Sequence, residues 1–194
     1  MCSRFELSAR PRDLARRFDL DDPPDGFATG EVRPTNAALI IGPDGPRVQP
    51  WGFAVEWDKK PLINARSETL AEKKTFQPLL ENRCLVPASA YFEWRRDGKA
   101  RFKNRIAPAG GGLFAFAGLT DGTRFTIVTR QPAAAIAHIH NRMPVILAAD
   151  AEARWIGADN GFPAVQTLLA GDPELVLDAA EDTPPPPAQA ELFG

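Results

Sequence analysis

The sequence predicts a single α+β domain, with a mixed, curved, barrel-like β-sheet core and short peripheral helices. Three observations carry that expectation. Apolar runs are short and closely spaced. Turn signals separate them, at Gly42-Pro43-Asp44-Gly45, Asp97-Gly98 and Asp121-Gly122. Helical patterns are brief, and 194 residues is a one-domain length with enough chain for a sizeable core.

The elements follow in chain order. Ala9 to Phe18 reads as a short helix, with Pro11 in the first turn, where its missing N–H has no helical partner to lose. Asp19 to Thr35, rich in Pro, Gly and Asp, reads as a loop. Ala37 to Ile41 is a compact apolar strand, and a second strand runs from Arg47 to Val55. Asn64 begins an irregular segment that becomes helical near Ser67, since Ser-Glu-Thr can start a helix. Phe76 to Asn82 continues it, interrupted near Pro78. Cys84 to Pro87 and Ala90 to Arg95 read as strands, and the Asp97-Gly98 turn leads into Ala100 to Ile106. Leu113 to Leu119 and Arg124 to Thr129 form another pair. Pro132 to Ala137 is a brief helix, Met143 to Leu147 strand-like, and Ala151 to Ile156 a helix. Residues 2–180 make the domain. Residues 181–194, with the run Thr183-Pro184-Pro185-Pro186-Pro187, read as a Pro-rich, acidic, poorly ordered tail.

Composition narrows the function classes. The start, MCSRFELSARPRDLARRF, has no apolar run that could serve as a signal peptide, and no stretch approaches the roughly 18 apolar residues of a membrane span. Two cysteines, Cys2 and Cys84, make no disulfide framework, which points to a reducing, cytoplasmic setting. Two histidines and two cysteines raise the question of zinc. No Cys-x-x-Cys or His-x-x-x-His spacing supports it, so no metal is expected. The net charge of −2 hides an asymmetry: residues 151–194 hold eight acidic residues against one Arg. The stretch from Trp51 to Arg105 holds twelve basic and seven acidic residues, enough for a local basic surface.

Four residues could carry chemistry. Removal of Met1 would leave Cys2 with its amine and thiol on adjacent carbons. Such an aminothiol condenses with an aldehyde to an imine, and the thiolate then closes a five-membered thiazolidine. The reference pKa values, about 8 for the amine and about 8.5 for the thiol, put both reactive forms within reach of neutral pH. The plainer reading of Cys2 is a frayed chain end. Asn64 stands at a strand-to-helix junction, where a cap is the plainer role. Glu93 lies among aromatics in Tyr91-Phe92-Glu93-Trp94. In a strand it points away from Phe92 and Trp94, either to solvent or into an enclosed site that would raise its pKa. His140 sits in His138-Ile139-His140-Asn141-Arg142, which holds both histidines of the chain.

Six spaced motifs then carry a resemblance. Met1-Cys2-Ser3-Arg4-Phe5, Trp51-Gly52-Phe53, Asn64-Ala65-Arg66-Ser67-Glu68-Thr69, Arg83-Cys84-Leu85-Val86-Pro87-Ala88, Tyr91-Phe92-Glu93-Trp94 and His140-Asn141-Arg142-Met143-Pro144 occur in the order found in the SOS-response-associated peptidase (SRAP) family, whose members act at abasic sites in DNA. The resemblance spans roughly residues 2 to 156. It departs at Ser3, where the family has glycine, at Asn141, where aspartate is common, and at Arg33-Pro34-Thr35-Asn36.

The resemblance implies a covalent crosslink between Cys2 and the ring-opened sugar of an abasic site in single-stranded DNA, made by a monomer without cofactor, in the cytoplasm or on the nucleoid of a bacterium. Asn64 would orient the amine or the sugar, Glu93 would move protons, and His140 would assist ring opening. Arg4 and Arg66 are the first choices for phosphate, and Arg142, Lys73, Lys74 and Arg83 the next. Trp57 suits stacking at the lesion and Trp51 the core, while Thr129 could touch the abasic-site phosphate. Two other readings stay open: a cysteine peptidase or N-terminal amidohydrolase attacking with Cys2, and a non-enzymatic single-stranded DNA binder.

Overall fold

Tight turns set the first strand pairs in a computed structural model that describes residues 2–182. In chain order the elements are β1 (Phe5–Leu7), α1 (Pro11–Phe18), β2 (Gly30–Val32), β3 (Ala37–Gly42), β4 (Gly45–Pro50), β5 (Phe53–Val55), β6 (Asp58–Leu62), β7 (Asn64–Arg66), β8 (Arg83–Ala88), β9 (Ala90–Asp97), β10 (Ala100–Pro108), β11 (Phe114–Thr120), β12 (Phe125–Arg130), β13 (Met143–Pro144), α2 (Glu152–Ile156), α3 (Phe162–Val165) and β14 (Leu177–Glu181). Pro43 and Asp44 turn β3 into β4, and Gly98 and Lys99 turn β9 into β10.

The strands form two main sheets. One runs β14-β10-β9-β1-β2, and the other runs β13-β12-β11-β8-β3-β4, with β7 added in parallel to β12. A β5-β6 ribbon stands apart. The predicted α+β, sheet-rich domain is what forms, but the sheets end in free edges and do not close into a barrel. The chain changes sheet at Ser89, the one residue between β8 and β9. Ser89 pins that crossing: its amide donates to the Glu6 carbonyl at 2.7 Å and its hydroxyl accepts from the Ser8 amide at 3.0 Å.

Cys2, Phe5, Trp51, Tyr91, Phe116 and Phe125 belong to one continuous buried core. The Phe5 ring packs edge-on to Trp51 and Phe116, with centroids 5.2 and 5.9 Å apart. A second core gathers Leu85, Ala117 and Val128 with Trp155 of α2 and Phe162 and Val165 of α3. Strands β8 and β11 are therefore buried on both faces, which is why their sequences are unbroken apolar runs rather than alternating ones. Gly52 shows why Trp51-Gly52-Phe53 needs a glycine. Its φ is +110°, and a Cβ there would stand 2.7 Å from Pro61.

Several elements differ from expectation. The 19–35 loop contains β2, whose Gly-Glu-Val has no alternation of its own and exists because β1 offers an edge. Asn64 opens a strand rather than an irregular run, because β12 accepts it in parallel register. Helix between Ser67 and Asn82 reduces to single turns at Ser67–Thr69 and Gln77–Leu79, Pro78 supplying no donor to extend the second. The strand expected over Met143 to Leu147 is confined to β13, beyond which Ile146 makes an isolated bridge to Phe116. β14 reaches Glu181, one residue into the expected tail, and the rest of that segment from 183 onward lies outside the described residues.

Arg83 also differs from its reading as a phosphate ligand. It is 1% exposed and donates to the carbonyls of Leu80, Trp155, Gly157 and Asn160, besides pairing with Glu81. A long basic side chain at a strand start reads the same whether it faces solvent or a ring of carbonyls. Arg83→Ala is expected to lower unfolding free energy by about 3 kcal/mol, because buried carbonyls lose their donors. Arg83→Lys should not recover it, since an ammonium cannot span the same fork. Denaturant unfolding of the three proteins checks both.

Candidate active site

The second residue lies in the core because the strand that follows it is central. β1 is hydrogen-bonded on one side to β9 and on the other to β2. The Phe92 amide donates to the Arg4 carbonyl at 3.0 Å, extending the pairing toward the chain start. Cys2 is fully buried, its carbonyl accepts from Asn64 Nδ2 at 2.7 Å, and its thiol donates to the Arg4 carbonyl at 3.5 Å. Burial pushes the thiol far above its ordinary range, and the nearby Glu93 carboxylate adds to the rise. Asn64 owes its position to β7, whose register sets it opposite Ile127 of β12.

Glu93 comes from β9, where alternation puts it on the same face as the buried Tyr91. It is 2% exposed, and burial pushes its carboxyl up to about 7. His140 Nε2 lies 3.7 Å from Glu93 Oε2. The Arg142 amide and carbonyl both meet His140 Nδ1, at 3.1 and 3.3 Å, which leaves Nε2 facing Glu93. Burial holds His140 below the usual imidazole range. The fold thus brings Cys2, Asn64, Glu93 and His140, read separately from four distant segments, into one cluster.

The expected DNA residues divide by exposure. Trp57 stands at the turn between β5 and β6 with 70% of its surface exposed, and Arg66 is exposed at the end of β7. Lys73 and Lys74 are exposed in the segment that follows β7. Arg4 is half-buried, ion-paired to Glu31 at 2.7 Å and set 5.3 Å over the Trp94 ring. Arg142 and Thr129 are buried and turned to one another. Arg142 makes a forked pair with Glu68, at 2.6 and 2.9 Å, and donates to the Thr129 carbonyl at 2.7 Å. In this arrangement they hold the His140 loop in place. Trp51 is wholly buried, its indole N–H donating to the Ile63 carbonyl at 2.9 Å. A cavity of about 400 Å³, lined by Pro34, Lys60, Pro61, Ile63 and Asn64, opens beside the cluster.

The SOS response associated peptidase (SRAP) family model matches residues 1–180. The chain belongs to the SRAP family. It is 37% identical over 196 residues to the abasic site processing protein YoaM of Bacillus subtilis, covering 87% of this chain and 85% of that one. It is 31% identical over 192 residues to the abasic site processing protein YedK of Escherichia coli, covering 88% and 86%. Among solved structures, a Bordetella bronchiseptica protein shares the fold with a TM-score of 0.79 at 22% identity, over 93% of this chain and all of that one.

Sequence reasoning passed over two groups in this SRAP site. Glu31 gathers Arg4, Arg33 and Lys103, yet it sits in a segment read as loop. The Tyr91 hydroxyl, buried on the face of Glu93, has no hydrogen-bond partner among the described residues. Its place two residues before Glu93 was the available signal. Among the described residues, no group of three or more His, Cys, Asp or Glu is placed to hold a metal ion, and no helix is long and apolar enough to cross a membrane.

The raised carboxyl of Glu93 makes a stability prediction. Its folded value of about 7 exceeds the ordinary 4.5, so between those values the native state binds more protons than the unfolded chain. This group's contribution to stability therefore falls as pH rises from about 4.5 through about 7. Glu93→Gln should flatten that decline and be more stable, relative to wild type, above pH 7 than below pH 5. Denaturant unfolding at both extremes reads the difference.

Proposed function

We propose that this SRAP protein processes abasic sites in single-stranded DNA by forming a thiazolidine between Cys2 and the opened sugar, with residues 2–180 as the catalytic domain. The observation that carries the reading is Cys2 itself. It is a second residue wholly buried and held through its carbonyl by Asn64, next to a carboxyl that titrates near neutrality. A frayed terminus would show none of these.

The geometry supports a balanced sequence of steps. An abasic deoxyribose is mostly a closed hemiacetal. His140, whose Nε2 faces the site, helps open it by passing a proton at the ring oxygen. With Met1 removed, the Cys2 amine adds to the aldehyde carbon to give a carbinolamine. Protonated Glu93 donates to the departing hydroxyl, releasing water and leaving the iminium, which keeps the nitrogen's own proton. The Glu93 carboxylate then takes the thiol proton and returns to its starting form, while the thiolate adds to the iminium carbon and the C–S bond closes the ring to a neutral secondary amine. A carboxyl near pH 7 is suited to both transfers. The deeply buried thiol needs such a base, because alone it would stay protonated. Asn64 keeps the Cys2 backbone from rotating away between steps.

Trp57 offers its face to a base, and Arg66 and Arg4 offer charge to phosphates. Trp57→Ala should weaken binding of undamaged single-stranded DNA by about 1–3 kcal/mol while leaving the melting temperature unchanged, as read by fluorescence anisotropy and thermal unfolding.

The deciding experiment incubates the protein with single-stranded DNA carrying one abasic site, followed by denaturing gel and intact mass. A denaturation-resistant adduct lighter by one water than its two components is expected. Cys2→Ala should abolish it, and Glu93→Gln or His140→Ala should slow it about a hundredfold. An adduct of undiminished yield with Cys2→Ala would refute the mechanism, as would a purified protein that retains Met1. Peptide cleavage that depends on Cys2, without any DNA adduct, would favour the peptidase reading instead.

A further inference from the structure

The largest cavity described, about 650 Å³, lies outside the Cys2 cluster, with Ser67, Arg130, Gln131, Phe162, Thr167 and Leu169 among its lining. Its distinctive member is Arg130, the last residue of β12. Arg130 is half-buried, and no hydrogen bond or ion pair holds it among the described residues; its Nε is buried with no partner. Among the described residues Arg83, Arg142, Arg17 and Arg105 each meet a carboxylate, and the half-buried Arg124 reaches the Gly52 carbonyl at 3.5 Å. Burying its Nε without a partner is costly. Of the two carboxylates that also line the cavity, Glu68 is committed to Arg142 and Glu72 is exposed.

Arg130 is also seated rather than loose. Its guanidinium lies against Gly171, where φ is +78° and a Cβ would stand 2.9 Å from Nε and 3.1 Å from the central carbon. The residue opposite can therefore only be a glycine without displacing the fork. Burial lowers the Arg130 pKa, a direction consistent with a cation lacking its anion. Phe162 and Leu169 supply apolar walls, and Ser67, Gln131 and Thr167 supply donors.

The cavity adjoins Arg66 at the end of β7: Ser67 of its wall follows Arg66 directly, while alternation along β12 turns Arg130 to the face opposite Thr129, the register partner of Arg66. We propose that this cavity is a second DNA subsite, in which Arg130 binds a backbone phosphate of a nucleotide flanking the lesion and the Phe162 wall takes its base. The proposal rests on the reading of the protein as a single-stranded DNA enzyme. It is specific to this residue pair, a cationic fork and the glycine that admits it.

The test measures non-covalent binding of a fluorescein-labelled, undamaged oligothymidylate over a range of salt. Wild type, Arg130→Gln, Arg130→Lys and Thr167→Glu are compared, with adduct formation on an abasic oligonucleotide measured separately. One lost phosphate contact should make the slope of log affinity against log salt shallower by about 0.7 for Arg130→Gln, with about a tenfold loss of affinity at low salt. Arg130→Lys should keep the slope, and Thr167→Glu should weaken binding by placing an anion at the rim. An unchanged slope and affinity in Arg130→Gln overturns the subsite, even if the wild-type adduct forms normally. A shallower slope with no wild-type adduct keeps the subsite and overturns the crosslink. Inorganic phosphate at constant ionic strength separates the sources: stabilisation of wild type but not Arg130→Gln by phosphate, with identical DNA slopes, would make this a free-anion site and overturn the DNA assignment.

Discussion

The pairing of β1 between β9 and β2 is the constraint on which the site depends. Chain ends ordinarily fray because few contacts oppose their entropy. Here a strand of three residues is hydrogen-bonded on both sides and carries Phe5 and Leu7 into the core. Its pull extends to Cys2, which the Asn64 side chain then holds from the other sheet. One hydrogen bond thereby links Cys2 to β7, while backbone pairing links it to β9, the strand that bears Glu93. Both groups proposed for the chemistry are positioned by the same piece of secondary structure.

Burial serves two ends at once. It removes Cys2 and Glu93 from water, which raises both pKa values in the direction that favours their neutral forms. In the proposed reaction the neutral thiol needs the neighbouring carboxylate to take its proton. The supporting residues are linked to one another. Glu68 accepts both arms of Arg142, and Arg142 in turn donates its amide to His140 and its guanidinium to the Thr129 carbonyl. Rigid support of this kind keeps a proton donor within reach of its target.

The basic surface is more moderate than its count of charges suggests. Glu31 alone neutralises parts of Arg4, Arg33 and Lys103, and Glu6 takes Arg105. Exposed residues outside the ion pairs of the described residues include Arg66 and the Lys73-Lys74 pair after β7, with Trp57 and Lys59-Lys60 on the β5-β6 ribbon, and a separate group of Arg96, Lys99 and Arg101 at the β9-β10 turn. An acidic chain can still offer nucleic acid a local track, because screening confines the influence of distant carboxylates to about a Debye length.

The sequence by itself determined the sheet-rich α+β class, the turns at Gly42-Pro43-Asp44-Gly45 and Asp97-Gly98, the second closing one residue later at Gly98-Lys99, and six motifs specific enough to name a family. Those features are local: turn chemistry and short apolar runs act within a few residues, and a motif survives as a string. It did not determine β2, β7 or β14, which have little propensity of their own and form because another strand presents an edge. Nor could it tell an outward Arg66 from an inward Arg83 or Arg142, since the same guanidinium suits water, a phosphate or a ring of carbonyls. Only the tertiary structure decided that Cys2 is buried, that Glu93 faces inward beside His140, and that the buried Nε of Arg130 has no hydrogen-bond partner among the described residues. Each of those facts depends on which distant segments meet, and that is settled by packing rather than by local pattern.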